Sequence, residues 1–97
     1  MLISITNGFR VQGNVNFENV VALRRDGEQW MKANANPNPF VIDLSEMKEQ
    51  DASSISLLLS WQRVARENKW SISFTDVSMS LQRMSKMFGL TDVIFNG

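Results

Sequence analysis

The sequence predicts a mixed α/β fold: a β-hairpin followed by strands that alternate with helices around one sheet. Three observations predict it. Asn7-Gly8 stands between two alternating runs, residues 2–6 and 9–12, and is a strong hairpin signal because both residues tolerate positive φ. Phe40-Val41-Ile42-Asp43-Leu44 is short and almost continuously apolar, the pattern of a central strand covered on both faces. Other segments repeat their apolar residues at the helical period. Strands joined through helices pair in parallel with right-handed crossovers, so the expected architecture is a mixed sheet flanked by helices, in a single domain spanning residues 1–97.

Each element follows from local pattern. Residues 2–6 alternate apolar side chains with hydroxyls and form the first strand. Asn7-Gly8 supplies a type I′ turn, and Phe9 and Val11 alternate with Arg10 and Gln12 in a second strand ending at Gly13. Asn16 is an N-cap for a helix from Phe17, with Phe17, Val20, Val21, Leu23, Trp30 and Met31 mostly on one side. Gly27 costs that helix roughly 1 kcal/mol relative to alanine, so close packing is expected there. The segment from Asn34 to Pro39, with its two prolines, stops the helix. After the strand at residues 40–44, residues 45–50 read as a polar loop.

A second helix runs from Asp51-Ala52-Ser53-Ser54 to about Asn68, and Trp70-Ser71-Ile72-Ser73-Phe74 alternates as a strand. A third helix, from about Ser78 to Phe88, carries Met79, Leu81, Met84, Met87 and Phe88, with Leu81, Met84 and Phe88 facing the sheet; Gly89 terminates it. Val93-Ile94-Phe95 adds a short last strand. Trp30, Trp61 and Trp70 are read as core or half-buried anchors.

Composition excludes whole classes of chemistry. The chain has no cysteine, histidine or tyrosine. Disulfides, thiolate nucleophiles and thiolate metal sites are ruled out, as are imidazole acid–base catalysis and histidine ligation. Ten basic residues balance ten acidic ones, and neither half of the chain is lopsided, so nothing draws the domain globally to nucleic acid or anionic lipid. No apolar run approaches the about 20 residues that cross a bilayer, and the N-terminal residues lack the pattern of a signal peptide. There is no phosphate-binding glycine loop, and Arg63, Arg66 and Lys69 read as a solvated helix end. A cytoplasmic, non-enzymatic domain without cofactor or metal, with no nucleic-acid partner and no direct membrane insertion, is expected.

The second helix carries most of the functional information. At about 100° per residue, Ser56, Ser60, Arg63 and Glu67 fall on one narrow polar stripe. Ile55, Leu57, Leu58, Leu59, Trp61, Val64 and Ala65 cover much of the rest. Either neighbouring helices cover this apolar surplus, or part of it, Leu57 or Trp61, is an exposed docking patch. At its start, Asp51 or Ser53 can cap the first turn; Ser53 and Ser54 also sit where the helix dipole favours a phosphate.

The stretch FVIDLSEMKEQDASSISLLLSWQRVARENKWSISFTDVSMSLQRMSKMFGLTDVI resembles the STAS domains, the family of anti-sigma-factor antagonists and sulfate-transporter tails. The family pattern is an apolar strand ending in Asp-Leu, a loop, an Asp followed by small hydroxylated or glycine residues, an apolar helix, a strand, and a helix ending in Gly-Leu. Residues 40–44, 51–59, 72–74 and 81–90 match it in order. The likeness is greatest to the small STAS subunit of the Mla phospholipid-transport ABC systems, the MlaB type. It implies an accessory subunit bound to an MlaF-like ABC transporter ATPase and stabilising the transporter, cytoplasmic but peripheral to the inner membrane through that partner. The partner surface is then expected at Asp51, Ala52, Ser53, Ser54, Ser56 and Leu57, rimmed by the loop at 45–50. In phospho-regulated members the acceptor hydroxyl directly follows the Asp; here that residue is Ala52, which leaves Ser53 or Ser54 as possible phosphorylation sites. The other function the resemblance allows is an anti-sigma-factor antagonist that binds an anti-sigma kinase in a partner switch.

Overall fold

The computed structural model describes residues 1–34, 39–49 and 51–95. Elements follow in the order β1 (Leu2–Ile5), β2 (Gly8–Val15), α1 (Val20–Ala33), β3 (Phe40–Glu49), α2 (Ser53–Glu67), β4 (Ile72–Thr75), α3 (Met79–Met87) and α4 (Thr91–Phe95). The strands form a four-stranded sheet in the order β1-β2-β3-β4. β1 and β2 pair antiparallel, and β2 with β3 and β3 with β4 pair in parallel, as the hairpin-then-crossover reading predicts.

One row of sheet residues builds the core. Phe9, Val11, Ile42 and Leu44 are buried against α1 and α2, together with Leu23, Met31, Leu58 and Trp61. Phe9 is the hub: its ring meets Trp30, Phe40 and Trp61 edge-to-face at centroid distances of 5.4, 5.5 and 5.2 Å. Such contacts add to what burial alone contributes, and these join two strands and two helices through one side chain. Gly27 sits where close packing was expected. A Cβ there would lie 2.4 Å from the indole nitrogen of Trp61, which donates a hydrogen bond to the Arg24 carbonyl.

Several sequence expectations shift. Ile5 pairs with Gly8, so the hairpin turns on Thr6 and Asn7, and only Asn7 has positive φ. Gly8 is required inside the strand instead, since a Cβ would fall 1.6 Å from the Val41 carbonyl oxygen. β2 also runs on past Gly13 to Val15. β3 is central, but its second face is polar: Arg10 and Asp43 are register partners there, bonded Nε to Oδ2 at 2.9 Å.

The expected loop at 45–50 is strand up to Glu49, paired with β2 through Val15, and Met47 is buried in the core; Gln50 lies outside the described residues, as do residues 35–38 of the proline segment. A strand with one wet edge of charged residues looks like a loop by composition. α1 begins at Val20, not Phe17, because Asn16 accepts from the backbone N–H groups of Glu18 and Asn19 and closes a separate turn first. Residues 93–95 are helical rather than extended, the Ile94 N–H bonding back to the Leu90 carbonyl. On α3, Leu81 is buried and Met84 half-buried, but Phe88 is exposed and does not face the sheet. Gly89 closes α3 at φ +68°, as its position predicted. No helix among the described residues is long and apolar enough to cross a membrane.

Candidate functional site

Asp51 organises the start of α2. Its Oδ1 accepts from the Ser53 N–H at 2.8 Å and its Oδ2 from the Phe17 N–H at 3.2 Å. The first bond satisfies a helix-terminal amide, and the second ties α2 to the turn that leads into α1. The Ser53 bonds, more than the Phe17 N–H, hold the Asp51 carboxyl below its ordinary pKa against a smaller upward push from burial. The capping role expected of Asp51 or Ser53 falls to Asp51, while Ala52 occupies the N-cap position with no side-chain bond.

The six residues expected to form a partner surface separate into two groups. Asp51, Ala52 and Ser56 are exposed and Ser53 is half-buried. Ser54 and Leu57 are fully buried, at 0% exposure. The Ser54 hydroxyl donates to the Asp51 carbonyl at 3.1 Å and turns inward, away from any kinase. Leu57 joins the core cluster, and Trp61 is buried with it, so the apolar surplus of α2 is covered by its neighbours instead of forming a docking patch. Ser54 and Leu57 are therefore removed from the candidate surface. The expected flexible rim at 45–49 is removed as well, being paired strand.

Two residues that sequence reasoning placed on the apolar side of the first helix take their place. Phe17 is 82% exposed and Val21 is 59% exposed. The Asn16 turn explains Phe17: it is reciprocally bonded, the Asn16 N–H donating to Asn19 Oδ1 at 2.9 Å, and it leaves Phe17 outside the helix it was expected to start. Val20, Val21 and Arg24 of α1 face Ser56, Leu57 and Ser60 of α2 across a small cleft of about 100 Å³. Apolar knobs thus stand on one side of the α1–α2 seam and small side chains on the other. The signal for Phe17 lay in Asn16, whose side chain bonds local backbone and competes with helix initiation.

Large exposed apolar groups beside small residues allow close approach of another protein and removal of apolar area from water, worth roughly 25 cal/mol per Å². No cluster of acidic side chains suited to a metal occurs among the described residues.

Comparison with known proteins places these features. The family described as Mlab, STAS domain matches residues 5–95. No curated protein sequence matches the chain. Among solved structures, the unphosphorylated form of the anti-sigma factor antagonist SpoIIAA superposes with a TM-score of 0.69, covering 93% of this chain and 80% of its own at 16% identity. At that identity the likeness establishes a common fold.

Proposed function

The chain belongs to the MlaB-type STAS domain family, and on that premise we propose that it is a non-enzymatic accessory subunit that binds and stabilises the ATPase of an ABC-type phospholipid transporter. In this reading it is cytoplasmic and reaches the inner membrane only through that partner. The docking surface is the α1–α2 seam: Phe17 and Val21 with Asp51, Ala52, Ser53 and Ser56. The observation that carries it is the exposure of Phe17 and Val21 directly beside the small residues at the start of α2. Large exposed aromatic and aliphatic groups set in a polar rim are the usual anchors of a protein interface.

The second reading, an anti-sigma-factor antagonist switched by serine phosphorylation, draws on the shared fold with SpoIIAA. Its support is weaker at the residues that matter. Ala52 cannot accept a phosphate, and Ser54 is buried with its hydroxyl engaged.

Ser56→Arg tests the reading. It places bulk and charge at the centre of the seam while leaving the buried face of α2 untouched. In pull-downs from native membranes, the wild-type chain is expected to retain an ABC ATPase and Ser56→Arg to lose it by roughly tenfold or more, with an unchanged circular dichroism melt. Retention of a soluble kinase in place of the ATPase, or unchanged binding by Ser56→Arg, would overturn the proposal.

A further inference from the structure

At the outer end of the sheet, away from the α1–α2 seam, β4, α3 and α4 enclose a groove of about 540 Å³ lined in part by Phe74, Val77, Met79, Arg83, Lys86 and Phe95. Its floor is aromatic, Phe74 and Phe95 meeting edge-to-face at 5.9 Å. Its charged lining residues, Arg83 and Lys86, are both cationic and both come from α3. The ion pairs among the described residues join Arg10 to Asp43 and to Glu46, and neither involves these two cations. β4 is the terminal strand of the sheet, bonded to β3 on one side, and no strand among the described residues lies on its other side.

We propose that this groove binds an extended acidic segment of a partner protein, one that interleaves apolar side chains with carboxylates. The aromatic floor takes a large apolar side chain, and Arg83 and Lys86 take carboxylates at the alternate positions of the segment, which share its face. An extended segment fits because Phe74 brings the groove to the terminal strand β4 and because alternate side chains of a strand point the same way. The groove is only partly enclosed. An acyl chain would stay largely in water there, whereas ligand pockets bury most of their ligand. A second copy of this chain is disfavoured by charge, since a two-fold contact presents the same patch twice and sets Arg83 and Lys86 against their own counterparts. The inference does not depend on the ATPase reading, which concerns a different pair of helices.

The experiment is selection from a random dodecapeptide library on the purified full chain, followed by titration of the synthesised winners into isotope-labelled protein. Winners are expected to interleave Asp or Glu with Leu, Ile or Phe, and to shift the amides of residues 72–75, Arg83, Lys86 and Phe95. The double variant Arg83→Glu/Lys86→Glu should weaken binding roughly tenfold or more. Ser56→Arg should leave it unchanged, which separates this site from the docking seam. If charge reversal lowers the melting temperature, Arg83→Gln/Lys86→Gln carries the same comparison. Winners without acidic residues, shifts confined to the α1–α2 seam, or no winner at all would overturn the proposal. So would palmitate or phosphatidylglycerol vesicles shifting the groove amides where no peptide does, or concentration-dependent shifts without any ligand.

Discussion

Helices α2 and α3 both carry long apolar side chains at helical spacing, and they end in opposite situations. In α2, Leu57, Leu58, Trp61 and Ala65 are fully buried. In α3, only Leu81 and Ser85 are buried, while Met79 and Met87 stand 63% and 75% exposed. The difference is position in the helical layer. α2 packs against α1, α3 and α4, so most of its circumference finds a neighbour; α3 packs against α2 and α4 at the outer end of the sheet. Burial is thus granted by the surroundings of a helix, and its own apolar content does not decide it.

The sharpest way to break the comparison is a charge on the buried face of α2. Leu58→Asp should destabilise the domain by roughly 4 kcal/mol or more, because an unpaired carboxylate would have no water and no partner. Thermal melting followed by circular dichroism reads this directly, and a variant melting within a few degrees of wild type would mean that the other face of α2 is inside.

A smaller loss is expected where α2 meets α1. In Gly27→Ala the new methyl would stand 2.4 Å from the Trp61 indole nitrogen, which cannot retreat without losing its bond to the Arg24 carbonyl. The helix gains propensity from alanine, so the net destabilisation should be about 1–2 kcal/mol in urea unfolding. A stabilised variant would show that the α1–α2 contact gives way freely.

The same contrast explains what could be read from the sequence. The fold class, the hairpin, the approximate extents of α2 and α3, and the tight contact at Gly27 follow from periodicity and turn chemistry, which are local. The polar stripe of α2 was equally legible, and Ser56 and Arg63 are exposed as it requires. What failed depends on neighbours. Leu57 looked surplus to a helix lying on a sheet, but α1 covers it; Phe88 looked like a core residue, but among the described residues it stays exposed. The continuation of β3 through Ser45, Glu46 and Lys48 was hidden because these polar residues accompany a backbone pairing with β2 that only the register reveals. Of the candidate site, the role of Asp51 was visible as a cap, whereas its bond to Phe17 joins residues 34 positions apart.

The bonds that Asp51 accepts, those involving Ser53 first and the one from Phe17 after them, give a pH signature. The Asp51 carboxyl is held below its ordinary pKa in the folded state, so its stabilising contribution is fully present above the unfolded value of about 3.9 and is lost as pH falls through the depressed folded value. Asp51→Asn keeps an acceptor but has no such titration. Its stability should therefore fall less steeply than that of wild type as the pH is lowered from about 4, as seen in urea midpoints. Identical acid slopes would show that groups other than the Asp51 carboxylate hold the start of α2.

The smallest effect is expected on the outer face of α3. Met79→Ser and Met87→Ser remove side chains that already lie mostly in water, so each should change stability by no more than about 0.5 kcal/mol. The argument is the converse of that for Leu58: a methionine that has not left water on folding has little transfer free energy to lose, and serine costs the helix only a small propensity difference. Measuring the melts at several protein concentrations sharpens the point. If either substitution destabilised the protein by more than about 1 kcal/mol, and did so increasingly at higher concentration, the outer face of α3 would be covered by another copy in solution. α3 would then be buried in the assembly much as α2 is buried in the monomer, and the contrast between the two helices would vanish.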